Sequence, residues 1–203
     1  MRRLAELYHQ QGIPLGVQLG HAGRKGSSAV PWLGSGPLTA DDPTPAWPTL
    51  APSALAHTSG WPTPEAASIE DIQQVVAAFA QAARRAVEAG LDFVEIHGAH
   101  GYLIHEFFSP LANRRSDAYG GDFAGRARLA LEVVRAVREA IPAQTPVWYR
   151  ASCVDDGEGG ITLDDTVRLA QLLAEQGVDL VYCSAGGILG PVARSATLAT
   201  PGH

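Results

Sequence analysis

The segment Glu95-Ile96-His97-Gly98-Ala99-His100-Gly101-Tyr102 carries the strongest chemical signal in the chain. It follows a short apolar run, and its glycines permit a tight turn that aims two imidazoles at one point. Two ring N–H donors converging on one oxygen stabilise negative charge that grows there, as in an oxyanion hole. Tyr102 adds a phenol as a nearby proton donor. The competing reading is structural: the histidines cap the turn through backbone hydrogen bonds.

Two further polar residues stand at strand ends. Gln18, in Val17-Gln18-Leu19-Gly20-His21, is expensive to bury without partners, so it reads as a specific hydrogen-bonding group or a structural amide. Arg150 closes Val147-Trp148-Tyr149-Arg150 and cannot lose its proton. It must meet an anion, an electron-rich ring, or a buried carboxylate such as Glu95 or Asp179. A metal centre is the rival chemistry, because His21, His97, His100 and His105 could supply imidazoles. His105-Glu106 is followed by Phe107-Phe108-Ser109, however, so the zinc-protease spacing is absent and no third ligand is evident. No metal is expected. Arg24 and Lys25 either meet a phosphate-bearing ligand or belong to a solvated loop. The cluster Asn113-Arg114-Arg115-Ser116-Asp117 with Arg126 reads as a loop held by its own ion pairs.

The elements that position these residues repeat one transition. Gln10-Gln11-Gly12-Ile13-Pro14-Leu15, Glu88-Ala89-Gly90-Leu91-Asp92-Phe93 and Glu175-Gln176-Gly177-Val178-Asp179-Leu180 each read as a helix tail, a left-handed glycine and an apolar strand. Pro142 and Pro146 punctuate a fourth copy. Strands are predicted at 14–20, 92–97, 146–151 and 178–184, and helices at 2–11, 69–89, 123–140 and 163–176. Ser68 with Asp71, Asp122, and Thr162 with Asp165 are the predicted caps. Ile69, Ile72, Val76, Phe79 and Ala83 form one inward stripe; Leu129, Val133, Val134 and Val137 form another; Val167, Leu172 and Leu173 form a third. Residues 21–67 make a long excursion whose Trp32, Trp47 and Trp61 predict packing rather than a flexible linker.

Such alternation builds a parallel sheet. Polar and glycine-rich residues gather just after the strands, and no Gly-x-Gly-x-x-Gly turn is present. Both points favour a (β/α)8 barrel over an open sheet. Four strands make half a barrel, so residues 1–203 are expected to be a single partial domain truncated at both ends, or a half that pairs with another half or a second copy. The 203 residues are 46% hydrophobic and 18% charged, which fits a globular domain. The net charge of −6 argues against a nucleic-acid surface. No run reaches the ~18 apolar residues of a membrane span. Two cysteines, Cys153 and Cys183, read as small reduced hydrophobes of a cytoplasmic protein.

Gln18-Leu19-Gly20-His21-Ala22-Gly23-Arg24 resembles the bacterial old yellow enzymes. So does the run from Glu95-Ile96-His97 through His100-Gly101-Tyr102-Leu103 to Phe108-Ser109-Pro110-Leu111, continued by Asn113-Arg114-Arg115, Asp117-x-Tyr119-Gly120-Gly121 and Arg126. The resemblance implies the family's strands 3 to 6 and an FMN-dependent ene-reductase. NADPH or NADH reduces the flavin, and hydride then passes to the β-carbon of an enone. It implies His97 and His100 as binders of the carbonyl oxygen, Tyr102 as proton donor, and Gln18 and Arg150 as flavin contacts. It also implies that part of the flavin cradle and the phosphate site lie outside this stretch, Ala199-Thr200-Pro201-Gly202-His203 resembling the start of a further family segment. The alternatives are a remnant unable to hold flavin, part of a reductase related to the dienoyl-CoA reductases, and, more distantly, a metal-dependent hydrolase.

Overall fold

A computed structural model describes residues 1–190. The C-terminal segment that includes Ala199–His203 lies outside them. In chain order the elements are α1 (Arg2–Gln10), β1 (Gly16–Leu19), β2 (Leu50–Ala51), β3 (Glu65–Ala66), α2 (Ile69–Glu88), β4 (Phe93–Gly98), α3 (Leu103–Phe108), α4 (Phe123–Ala140), β5 (Val147–Ser152), α5 (Leu163–Glu175) and β6 (Leu180–Ser184).

β1, β4, β5 and β6 form one parallel sheet in that order. Sequential order without reversal is barrel topology, whereas a doubly wound sheet reverses. Side chains alternate between the sheet's two faces. Val94, Ile96, Val147 and Tyr149 are buried under the helices. Gln18, Glu95, His97, Trp148, Arg150 and Tyr182 take the other face, the interior of a barrel, where Tyr182 is half exposed. The fold is thus a partial (β/α)8 barrel: four parallel strands joined by the crossover helices α2, α4 and α5 among the described residues.

The helices form where expected because their ends are satisfied. Ser68 Oγ accepts the Asp71 N–H at 3.1 Å while the Asp71 carboxylate accepts the Ser68 N–H at 2.8 Å. Thr162 and Asp165 repeat this reciprocal box, and Asp122 Oδ1 accepts the Gly125 N–H at 2.9 Å. Each such cap contributes about 1 kcal/mol. α2 and α4 pack on each other, and Ile72, Phe79 and Ala83 of α2 are buried in one core with Leu129, Val133 and Val137 of α4.

Three packing expectations need correction. Ile69 and Val167 are exposed, at 42% and 51%. Val167 shares an apolar face with Leu163 and Ala170 that no described element covers. Two of the three tryptophans of the excursion do not anchor it either: Trp32 is 81% and Trp47 50% exposed, while Trp61 is half-buried with its ring edge-on to His57 at 5.2 Å. The excursion is fastened through smaller residues, with Ser27 Oγ accepting the Trp47 N–H and the two-residue strands β2 and β3 pairing in parallel. Of the two cysteines read as small hydrophobes at strand ends, Cys153 packs against the core, while Cys183, near the end of β6, is exposed.

Candidate active site

β4 places His97 on the interior face, in register with Arg150 on β5, which is in turn in register with Tyr182 on β6. The chain then turns sharply. Gly98 is required there because a Cβ would strike the Tyr149 hydroxyl. His100 and Gly101 follow with φ of 57° and 69°. This left-handed pair brings the His100 ring to 5.2 Å from the His97 ring, and the Tyr102 ring to 4.9 Å from it, both nearly perpendicular. Three residues spread over six positions therefore form one edge-to-face cluster at the end of a barrel strand.

Both imidazoles are held neutral. Burial, then the nearby His100, Arg150 and His105, lowers His97 to about 4. Burial and Arg150 likewise lower His100. Each ring at neutral pH thus keeps one N–H and one lone pair. His97 Nδ1 is sealed without a partner, and His100 Nε2 lies 2.6 Å from Ser184 Oγ. The turn-capping role belongs to other histidines: Gly23 N–H donates to His21 Nδ1 at 3.1 Å and Gly101 N–H to His105 Nδ1 at 2.8 Å.

Arg150 stacks on Tyr182, its guanidinium 4.9 Å from the ring centre, and its Nε is buried without a partner. Among the described residues no carboxylate lies within salt-bridge distance of it. Glu95 instead accepts from Gln18 Nε2 at 3.2 Å, and Asp179 accepts the Val147 N–H at 2.8 Å. Gln18 is exposed on the interior face rather than buried.

Arg24 and Lys25 are neither a phosphate site nor solvated. Arg24 is 4% exposed, and its Nη2 donates to Ile188 O at 2.6 Å. Lys25 Nζ donates to His100 O at 2.7 Å and Gly187 O at 2.6 Å. The two cations fasten the loops after β1, β4 and β6 to one another. In the basic loop, Arg115 pairs with Asp117 as expected, while the buried Asn113 donates to Phe107 O and Tyr119 O. Residues that sequence reasoning missed are Ser152, Ser184, Lys25 as a staple, the buried Glu106 and Asp155, and His105 as an acceptor of a backbone N–H rather than a metal ligand. One local signal existed: two ionisable residues inside the apolar run Leu103-Ile104-His105-Glu106-Phe107-Phe108. Among the described residues no three His, Cys, Asp or Glu side chains are grouped as metal ligands.

The family model described as NADH:flavin oxidoreductase / NADH oxidase matches residues 1–200. The chain belongs to this family. It is 42% identical to an NADH:flavin oxidoreductase of Gibberella zeae over 93% of its length, and 40% identical to the NADPH dehydrogenase of Bacillus subtilis over 92%. It covers 48% and 50% of those proteins, so it spans about half the length of the curated relatives it matches. Among solved structures it resembles a 2-naphthoyl-CoA reductase in complex with 2-naphthoyl-CoA, with a TM-score of 0.77 at 25% identity, covering 91% of this chain and 28% of that one.

FMN is the flavin of this family, and the relatives' name gives NADPH as hydride donor. The residues on the interior face suit the flavin ring. Arg150 offers a cation whose Nε has no partner, Gln18 offers an amide, and Gly20 leaves bare backbone in front of His97, where a Cβ would lie 3.4 Å from the His97 Cβ. Arg24 and Lys25 are committed to backbone carbonyls, so the residues that fit FMN fit its ring and not its phosphate.

Proposed function

We propose that the chain supplies the carbonyl-binding half of an ene-reductase site, in which hydride from NADPH passes by way of FMN to the β-carbon of an α,β-unsaturated carbonyl compound. The observation that carries this reading is the convergence of two neutral imidazoles and a phenol beside an uncommitted guanidinium.

Bound FMN would supply the hydride. As hydride reaches the β-carbon, electron density moves onto the carbonyl oxygen, and that is where fixed donors contribute most. His97 donates through Nε2, because its sealed Nδ1 is better left as a lone pair than as an unpaired N–H. His100 Nε2 shares a hydrogen bond with Ser184 Oγ at 2.6 Å; with Ser184 as the donor, the single proton of that ring is on Nδ1, available to the same oxygen. Tyr102, against the His97 ring, gives its phenolic proton to the α-carbon. One hydride and one proton saturate the C=C bond. Arg150 and Gln18 would hold the flavin ring when FMN is bound, and the cation of Arg150 would favour its reduced, anionic form.

The purified chain with added FMN and NADPH tests this by its visible spectrum. A bound flavin that bleaches with NADPH and recolours with 2-cyclohexenone is the expected result. Failure to bind flavin would make the chain a remnant, and recolouring by a quinone but not by an enone would remove the ene-reductase reading. The likeness to 2-naphthoyl-CoA reductase favours a second reading, the barrel portion of a larger reductase acting on acyl-CoA thioesters. Turnover of an enoyl thioester in place of the free enone would select it.

A further inference from the structure

His105 and Asp155 have no part in the chemistry above, yet their side chains are 1% and 0% exposed. A buried ionisable pair is expensive, and an apolar pair of the same volume is often at least as stable. What the pair holds gives it a use. His105 Nδ1 accepts the Gly101 N–H at 2.8 Å. Since Nδ1 is the acceptor, the ring's proton is on Nε2, which faces Asp155 Oδ1 at 3.0 Å with the N–H turned off the line to the oxygen. Asp155 Oδ2 accepts from Ser109 Oγ at 2.6 Å and from the Ile161 N–H at 2.9 Å. The pair therefore ties α3 and the loop after β5 to the amide that immediately follows His100.

His100 needs such a tie. Its φ of 57° lies in the left-handed region, where a Cβ crowds the following carbonyl and the backbone is strained. Its own peptide groups are held as well: the N–H donates to Ser152 Oγ at 2.9 Å, and the carbonyl accepts from Lys25 Nζ. Gly101 leaves room for nothing larger, because a Cβ there would strike the Gly187 carbonyl. We propose that His105, oriented by Asp155, is a positioning residue that locks the His100–Gly101 peptide and so sets the directions of the His100 ring and of Tyr102. This rests on the reading of His97, His100 and Tyr102 as the substrate-binding residues.

The test uses the full 203-residue chain labelled with 15N. His105 should show the Nε2–H tautomer. His105→Phe should speed exchange of the Gly101 amide by about tenfold or more and shift the His100 ring signals, while unfolding stays cooperative. His105→Asn, whose Oδ1 can accept the same N–H, should restore most of the protection. Asp155→Asn should shift the tautomer balance of His105. A folded Phe variant with wild-type Gly101 exchange and His100 signals overturns the proposal. So does an Asp155→Asn chain with an unchanged His105 tautomer, which decides the matter if the Phe variant does not fold. Binding of p-hydroxybenzaldehyde by the unmutated chain with FMN is read separately. Its absence would remove the site assignment while leaving the His105–Asp155 lock intact.

Discussion

Glu106 sets burial directly against ion pairing, and the outcome is measurable. Its side chain is 0% exposed in α3. Oε1 accepts the Arg24 N–H at 3.0 Å, and Oε2 has no hydrogen-bond partner. Burial favours the neutral acid, whereas the Arg24 charge, the Arg24 N–H and Lys25 favour the carboxylate. Arg24 is poorly placed to win, since its Nε is 4.0 Å from Oε1 and its Nη2 is directed at Ile188 O. Burial prevails and pushes Glu106 up to about 8. Between its ordinary value of 4.5 and about 8, the unfolded chain is ionised at this residue while the folded chain keeps its proton. The stabilisation is thus fully present below pH 4.5 and is lost as pH rises toward 8. The slope is about 1.4 kcal/mol per pH unit, or about 4 kcal/mol from pH 5 to 8. That is a large share of the ~5–15 kcal/mol that holds a domain folded. Glu106→Gln keeps the shape and cannot titrate. Urea unfolding of both proteins at pH 5 to 9, with one curve subtracted from the other, isolates this residue. Wild type should lose ground to the variant up to pH 8 and then run level with it. Parallel curves would refute the argument. Such a flat difference is what a carboxylate held ionised by Arg24 gives, because it is then charged in both states throughout this range.

Other perturbations probe the site itself. Tyr102→Phe should lower the rate of enone reduction by about 10² or more and leave phenol affinity within a few-fold, and an equal loss of both would make Tyr102 a binding residue only. His97→Ala or His100→Ala should each weaken phenol binding by roughly tenfold, as for loss of one hydrogen bond to a charged group; unchanged binding of both would remove the oxyanion role. His97, lowered to about 4, should titrate near that pH by imidazole NMR, and because its folded value is depressed its stabilisation is lost as pH falls from 6.5 toward 4; a midpoint above 6 would show that the ring is not buried as described. Gly101→Ala should cost about 1–2 kcal/mol for the left-handed backbone alone, with the Gly187 contact added; a loss no larger than that would mean that the two loops do not meet, and an unchanged urea midpoint that the turn is not left-handed either.

The parts of the fold that were legible in sequence are those whose cause is local. Ser68 with Asp71 and Thr162 with Asp165 announce helix starts because a cap needs only residues three apart. Gly90 and Gly177, with φ of 86° and 89°, end helices for an equally local reason. Errors came where the answer depended on a distant partner. The rule that tryptophan finds cover puts Trp32 and Trp47 inside, and the helical stripe does the same for Val167; neither rule states what lies opposite, and all three are exposed.

The site divides in the same way. His97, His100 and Tyr102 were legible as a group because one turn carries all three. The side chains that make the group usable come from elsewhere: Ser184 on β6 fixes the His100 ring, and Ser152 on β5 takes its N–H. Lys25 after β1 takes its carbonyl. Nothing in a serine or a lysine alone says that it will hold a group of a residue more than 30 positions away. The buried ionisable residues are the exception that sequence could have yielded. His105 and Glu106 lie between apolar neighbours in a six-residue helix, where neither could reach water on either side. Each therefore had to have a committed partner or a displaced proton, and they took one course each: His105 faces Asp155, and Glu106 keeps its proton. A pair of ionisable residues that cannot be solvated thus marks where long-range contacts must form, even when the sequence does not name them.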